Sequence, residues 1–370
     1  MAPLITGVEV IAAGPPMPEV QFTEALPEVF TTVTYAVVTD DTGRAGIGAV
    51  ESDSFGAFDL GPLEALRTMA PAVLGEDPLQ PGAIAALARS RKPSASRAVP
   101  VAALEVACWD LVGRHAGVPL HQLVGGARDE VPAYASLPFE RDPATLDDLM
   151  RRVCSDGYRA VKLHVSGDPE ADVASVAEVR RSHPDVEVIV DAESVYDLAG
   201  ALRVGRALDD LGCLWFEAPL PDRDVAGYTE LARTLATPMV PAGGLVDDPA
   251  ELALILPARP WAALRTQTME GGVDHVREFA ALGAAYGLDL QLCSYGTTVT
   301  QVTDLQLILG LGLGGYYEQP FPVEPWAFGA TTALEVVDGK VRAPDGPGLG
   351  LELDRDVIDR ATIGRFETAI

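Results

Sequence analysis

Short apolar segments recur at a nearly constant spacing through the last two thirds of this 370-residue chain, with amphipathic helical patterns between them. The eight segments end at Ser136, His164, Asp191, Glu217, Gly243, Thr266, Cys293 and Glu318, which are 28, 27, 26, 26, 23, 27 and 25 residues apart. One strand with its crossover helix takes about 30 residues, and eight such units in succession close a barrel of roughly 250 residues. A doubly wound open sheet is the competing architecture, but it would carry an early glycine-rich phosphate-binding turn, which this sequence lacks. We therefore predict an α/β fold with a (β/α) TIM-type barrel over residues 129–370.

The first 128 residues have a different pattern, typical of a small α+β domain. Alternating or continuous apolar runs joined by turn sequences predict an antiparallel meander over residues 4–12, 30–38 and 45–51. Helical periodicity then predicts helices over residues 59–73, 81–90 and 98–115. The segments 14–28 and 52–57 are rich in Pro, Gly, Ser and Phe, and we expect them to be mobile loops.

The composition excludes several classes of partner. Lysine and arginine number 27 against 54 aspartate and glutamate, a net charge of −27, so phosphate backbones and anionic membranes would repel the chain. No apolar run is long enough to span a bilayer, and the Met-Ala-Pro-Leu start has no basic region typical of a secretory signal. The four cysteines are isolated, with no Cys-x-x-Cys pair, which predicts reduced thiols and a cytoplasmic location. A homo-oligomer is compatible with this composition, which leaves the oligomeric state open.

The ends of the predicted strands carry groups suited to catalysis, because barrel enzymes place their chemistry at the C-terminal ends of the strands. Asp191 and Glu217 follow wholly apolar runs on adjacent strands, and two converging buried carboxylates suit a hard cation such as Mg²⁺. Lys162 and His164 are two residues apart on one strand, so their side chains point the same way. Beside a divalent cation a lysine loses affinity for its proton and becomes a usable base. Glu318 ends the last segment.

Each of these residues also has a structural interpretation. A carboxylate at a strand end is commonly a helix cap or an ion-pair partner, a lone lysine commonly extends to the surface, and isolated cysteines such as Cys293 are usually inert buried thiols. The chain has 24 arginines but only three lysines, however, so a lysine in an apolar strand is unusual here. The shared phase of Lys162, Asp191 and Glu217 in the barrel repeat favours a functional site, as it does less strongly for His164 and Glu318.

Several motifs together resemble the enolase superfamily, in its mandelate racemase and muconate lactonizing enzyme branch, over nearly the whole chain. They are AALEVACWDLVGRHAGVPLHQLVGG (102–126), YASLP (134–138), GYRAVKLHV, VIVDAE, LWFEAPL, TPMVPAGG, MEGGVDHVREFAALGAAYGLDL and DGPGLGLELD. The resemblance implies that residues 1–128 form a capping domain with substrate-specificity loops and that the C-terminal tail returns to it. It also implies Mg²⁺ that chelates a carboxylate substrate, a base that removes the α-proton, and an enediolate intermediate leading to racemisation, cycloisomerisation or dehydration.

The sequence keeps two of the three metal carboxylates that the resemblance implies. These two fall on Asp191 and Glu217, whereas the third position is Gly243. Losing this ligand would weaken Mg²⁺ binding, and Glu193 would restore it if the strand extends two residues past Asp191. The family's Lys-x-Lys pair becomes Lys162-Leu-His164, which puts His164 at the position of the base.

The opposite face of the implied site departs further from the family pattern. Counting back from Gly271-Gly272 puts Thr266 where a lysine or aspartate is usual, and Cys293 replaces a histidine, while the glutamate that meets the substrate carboxylate is retained as Glu318. We therefore expect one-sided chemistry on a hydroxy or sugar acid, either dehydration or cycloisomerisation, with His164 as base. The alternatives are a racemase or epimerase with Cys293 as second base, or a diverged barrel that has a metal-independent activity or only binds its ligand.

Overall fold

The computed structural model describes residues 2–16, 29–91, 100–244, 246 and 248–370. Its strands in chain order are β1 (Ile5–Ala13), β2 (Val29–Asp40), β3 (Ala45–Phe55), β4 (Val131–Ser136), β5 (Ala160–His164), β6 (Glu187–Asp191), β7 (Phe216–Glu217), β8 (Met239–Val240), β9 (Ala263–Thr266), β10 (Asp289–Leu292), β11 (Tyr317–Pro320), β12 (Val336–Val337), β13 (Lys340–Val341) and β14 (Thr362–Ala369). Its helices are α1 (Gly61–Met69), α2 (Pro81–Ser90), α3 (Val101–Ala116), α4 (Leu120–Val124), α5 (Pro143–Ser155), α6 (Pro169–Ser182), α7 (Leu198–Leu211), α8 (Val225–Thr234), α9 (Pro249–Ile255), α10 (Val273–Ala285), α11 (Thr298–Leu311) and α12 (Arg355–Ala361). Short 3₁₀ turns cover Ala70–Val73, Leu256–Ala258 and Thr268–Glu270. Among the described residues, no helix is long and apolar enough to cross a membrane.

The N-terminal domain is an antiparallel sheet covered by helices. Its strand order is β14-β1-β2-β3, so the last strand of the chain joins the first. Helix α3 lies directly on β3, where a Cβ added to Gly48 would be 2.1 Å from the carbonyl oxygen of Ala103. Strand β3 runs on to Phe55, so the predicted loop over 52–57 is largely strand. The other predicted loop, over 14–28, lies mostly outside the described residues.

The barrel follows the predicted repeat. Parallel pairing runs β11-β4-β5-β6-β7-β8, and β9 pairs with β10. A backbone hydrogen bond of 2.8 Å from Ala262 N to Met239 O links β8 to the start of β9. Three strands end a few residues from the predicted positions, at Val240, Leu292 and Pro320.

Five consecutive barrel helices, α5 to α9, begin with an aspartate that caps the helix. In each case the carboxylate accepts a backbone N–H of the first turn, and three of the helices continue with proline, which suits the first helical position. The capping residues are Asp142, Asp168, Asp197, Asp224 and Asp248. These aspartates are helix caps, which is the structural interpretation given above for carboxylates at strand ends. Asp191 and Glu217, in contrast, cap no helix.

The inward side chains of the barrel form two layers of different chemistry. The lower layer is apolar and consists of Tyr134, Ala160, Ile189, Trp215, Val240 and Ala263. Since strand side chains alternate with a period of two, the residues two positions further along these strands form the next layer. That layer contains Lys162, Asp191, Glu217 and Arg265, all buried. The barrel therefore places charged groups on an apolar floor at its C-terminal end.

Candidate active site

Strand register brings the central residues side by side. His164 pairs with Asp191 across β5 and β6, and Asp191 pairs with Glu217 across β6 and β7. Glu318 comes from β11, on the other side of β4. Asp191, Glu217 and Glu318, together with Lys162 and Arg265, are called the mouth cluster below.

Lys162 lies at the centre of the mouth cluster. Its Nζ is 2.9 Å from Asp191 Oδ2, 3.0 Å from Glu217 Oε1 and 2.8 Å from Glu318 Oε1. Burial alone would lower the pKa of Lys162, but the three carboxylates raise it well above its ordinary value. These contacts favour the protonated form of Lys162 and so a fixed positive charge at this place. A role of Lys162 as a base beside a divalent cation stays a prediction.

Arg265 is the residue that sequence reasoning missed. Its Nη2 lies 2.6 Å from Glu318 Oε2 and 3.1 Å from Glu217 Oε1. Thr266, predicted for this place, instead lies on the outer face, where its hydroxyl donates to Glu270 Oε2 at 2.6 Å and contacts His275 Nε2 at 2.9 Å. The count back from Gly271-Gly272 selected Thr266, which is one residue away from Arg265, the residue that faces the barrel interior. The available signal was the alternation in AALRTQT, which places the arginine on the inner face with Ala263.

His164 is held at the edge of the mouth cluster. Its Nδ1 lies 2.6 Å from the Leu137 carbonyl oxygen, to which it donates, and its Nε2 lies 3.5 Å from Asp191 Oδ2 and 3.6 Å from Glu193 Oε1. Burial lowers the pKa of His164, but the hydrogen bond to Glu193 and the charge of Asp191 outweigh it and raise the pKa above its ordinary value. The carbonyl thus fixes the ring orientation and leaves Nε2 as the proton-exchanging atom.

Glu193 reaches the site by a route that the sequence did not predict. Strand β6 ends at Asp191 rather than extending two residues further. Glu193 has a φ of 46°, in the left-handed region, and its N–H donates to Asp191 Oδ1 at 3.1 Å. This turn directs the Glu193 carboxylate towards His164 without any continuation of the strand.

The predicted metal ligands Asp191, Glu217 and Glu193 are not gathered as one set. Among the described residues, ligand atoms within 4.8 Å of one another are offered by His164, Asp191 and Glu193. Glu217 lies outside that group, because its Oε1 contacts the two cations and its Oε2 accepts the Trp215 indole N–H at 3.0 Å. Burial raises the pKa of Glu217 to about 7, with a further rise from Asp191, although Arg265 and Lys162 oppose it.

The two other predicted catalytic residues flank Arg265. Burial would raise the pKa of Glu318, but Lys162 and Arg265 hold it well below its ordinary value, so this carboxylate stays ionised. Cys293 directly follows β10 and is a free thiol. Burial raises the pKa of Cys293 to about 12 even though Arg265 lowers it. A thiol with this pKa is a poor base near neutral pH.

Fold and site together define a barrel enzyme of the enolase superfamily, and comparison with known proteins agrees. Residues 19–125 match the model of the mandelate racemase / muconate lactonizing enzyme N-terminal domain, and residues 145–357 match the enolase C-terminal domain-like model. The chain belongs to the mandelate racemase/muconate lactonizing enzyme family of that superfamily, a family of lyases and isomerases.

Individual relatives agree with this assignment. The o-succinylbenzoate synthase of Geobacillus stearothermophilus is 30% identical over 271 residues, which cover 70% of this chain and 69% of the relative. A crystal structure of a putative mandelate racemase/muconate lactonizing enzyme from Pseudovibrio sp. superposes with a TM-score of 0.95 at 25% identity, covering 100% of both chains. The L-talarate dehydratase of Polaromonas sp. JS666, complexed with Mg and L-glucarate, has a TM-score of 0.86 at 25% identity and covers 100% of this chain and 99% of its own. Other curated relatives are named as cycloisomerases, a dehydratase, a racemase and an epimerase.

Proposed function

We propose that this enzyme removes the α-proton of a small carboxylic acid, a hydroxy or sugar acid, and that the resulting enediolate loses a leaving group or closes a ring. The observation that carries the proposal is the placement of His164. Its imidazole is buried, oriented by the Leu137 carbonyl, and located on the strand that also carries the protonated Lys162. A base and a fixed positive charge on one strand are what α-proton abstraction from a carboxylate requires.

In this proposal each residue of the site has a defined task. His164 Nε2 accepts the α-proton, and Glu193 and Asp191 stabilise the imidazolium that forms, since both carboxylates lie within 3.6 Å of that nitrogen. Positive charge for the enediolate comes from Lys162 and Arg265, which are the cations of the mouth cluster.

The opposite face favours elimination or cyclisation over racemisation. A two-base racemase needs a second group that exchanges protons near neutral pH. Thr266 lies on the outer face of β9, against Glu270 and His275, and Cys293 remains a thiol because of its raised pKa. Neither residue is therefore suited to act as a second base.

The predicted Mg²⁺ on Asp191, Glu217 and Glu193 does not fit these contacts, although the Polaromonas relative carries Mg. Arg265 and Lys162 both contact the Glu217 Oε1 atom, and the third family position is Gly243. No step of the proposed reaction passes through a metal. From the four free cysteines, we also propose that the protein works in the reducing cytoplasm.

The test is a screen of hydroxy and sugar acids for incorporation of solvent deuterium at the α-carbon, followed by NMR or mass spectrometry. We expect exchange or turnover with at least one acid, and loss of both by about 10²–10⁴-fold in His164→Asn, which keeps the approximate shape but removes the base. A racemised single-enantiomer substrate would contradict the one-sided reaction. Acids that bind without any exchange would show instead that the barrel is a binding protein.

A further inference from the structure

The position that a metal ion takes in this family is already filled by side chains. The family's metal carboxylates fall on Asp191 and Glu217, and both accept a hydrogen bond from the Lys162 ammonium, at 2.9 and 3.0 Å. The Arg265 guanidinium lies 3.1 Å from the same Glu217 oxygen. We propose that Arg265, next to the lysine that the family keeps at position 162, takes the place of the divalent cation, so that this enzyme binds no Mg²⁺ between Asp191 and Glu217.

Gly243 makes room for the replacement. The family's third metal carboxylate falls here, and a Cβ added to Gly243 would lie 3.0 Å from Arg265 Cγ and 3.1 Å from the Arg265 backbone. A side chain of any size at this position would therefore press against the arginine stem. The absence of a side chain at Gly243, after β8, thus leaves the space that the Arg265 side chain from β9 uses.

Charge and hydrogen bonding agree with this exchange. The three carboxylates of the mouth cluster carry −3 when ionised, and Lys162 and Arg265 return +2, so the cluster keeps a charge of only −1 without a metal ion. Both cations are almost completely buried, with side chains 4% and 2% exposed. A divalent ion at bonding distance from Glu217 Oε1, about 2.1 Å, would lie close to an ammonium and a guanidinium that cannot move to solvent. Like charges at such separations in a buried site repel strongly.

Removing one cation should open the site to a metal. In Arg265→Met, Glu217 and Glu318 lose a cationic partner, so Mg²⁺ becomes the available source of positive charge. The matched control is Arg114→Met. Arg114 also pairs with two carboxylates, Asp110 at 2.9 Å and Glu352 at 2.8 Å, but on α3, away from the barrel mouth. The inference concerns cation binding alone and does not depend on which reaction the enzyme catalyses.

The experiment compares thermal midpoints in millimolar MgCl₂ and in EDTA, with isothermal titration of Mg²⁺ as a second measurement. We expect no difference for the wild type, a Mg²⁺-dependent rise of at least about 3 °C for Arg265→Met, and no Mg²⁺ response for Arg114→Met. If Arg265→Met folds poorly, Arg265→Gln removes the same charge while keeping a hydrogen-bond donor, and it should gain the same response.

Two outcomes would overturn the inference. One is a Mg²⁺ response of the wild type that disappears in Glu217→Gln. The other is the absence of any gain in both Arg265→Met and Arg265→Gln. A wild-type response that disappears only in Glu193→Gln would place an ion beside His164 instead, and a separate gain in Arg265→Met would then still support the replacement.

Discussion

Two regions of the molecule bury carboxylates, and they do so in opposite ways. At the barrel mouth, Glu318 lies against two side-chain cations and its pKa is held well below the ordinary value. At the interface between the two domains, Glu51 on β3 accepts hydrogen bonds from Thr297 and Thr300, and Glu105 on α3 accepts one from the Asp274 backbone. Burial raises the pKa of both interface glutamates to about 7.

The difference shows what each region is built to do. Hydroxyl and amide donors satisfy one oxygen atom of Glu51 but do not offset the desolvation of the carboxylate, so the group gains affinity for a proton. Lys162 and Arg265 offset the desolvation of Glu318, so charge is kept where water is excluded. Fixed charge in a dry site favours catalysis or ligand binding, whereas the interface glutamates need only hydrogen-bonding capacity to join the domains.

The largest expected effect follows from removing the central cation. Lys162→Met leaves three buried carboxylates facing one another, and we expect it to lower the free energy of unfolding by about 3–5 kcal/mol. Lys340→Met is the matched control, because Lys340 is half exposed and pairs with Glu130 at the surface; its effect should stay below about 1 kcal/mol. Denaturant titration in EDTA measures both. Equal effects would mean that the mouth cluster is no more strongly coupled than a surface pair.

The interface predicts a pH dependence with a definite sign. Because burial raises the pKa of Glu51 from 4.5 to about 7, the folded state holds this proton more tightly than the unfolded state. The stabilisation is therefore fully present below about pH 4.5 and is lost as the pH rises through about 7. We expect the unfolding free energy of wild type, relative to Glu51→Gln, to fall by on the order of 2 kcal/mol across this range. If the unfolding free energies of the two proteins instead vary with pH in parallel, Glu51 stays ionised in the folded state over this pH range.

The smallest expected effect concerns Cys293. Since its pKa is raised to about 12, the thiol should take no part in proton transfer near neutral pH, and Cys293→Ser should leave the rate of solvent exchange within about twofold of wild type. Exchange assays at matched pH test this directly. If Cys293→Ser instead abolished racemisation while exchange from one face persisted, Cys293 would be the second base.

The sequence predicted the fold well because the barrel repeat is strongly periodic and strand alternation is set by backbone geometry. It also placed Lys162, His164, Asp191 and Glu217 at one end of the barrel, which follows from their shared phase. Arg265 was missed because the position on β9 was assigned by counting residues back from Gly271-Gly272. The alternation of inward and outward side chains along the strand would have indicated Arg265 instead. The approach of Glu193 depends on a left-handed turn, and no periodic pattern indicates such a turn for a glutamate.

The central claim is that His164 removes the α-proton of the substrate while Lys162 and Arg265, and no metal ion, supply the positive charge. The most direct measurement is deuterium incorporation into an exchanging acid by wild-type enzyme that has been freed of metal and kept in EDTA. The account predicts exchange in EDTA at a rate that added Mg²⁺ leaves unchanged, and loss of exchange in His164→Asn under both conditions. Exchange that is absent in EDTA and restored by Mg²⁺ would contradict it.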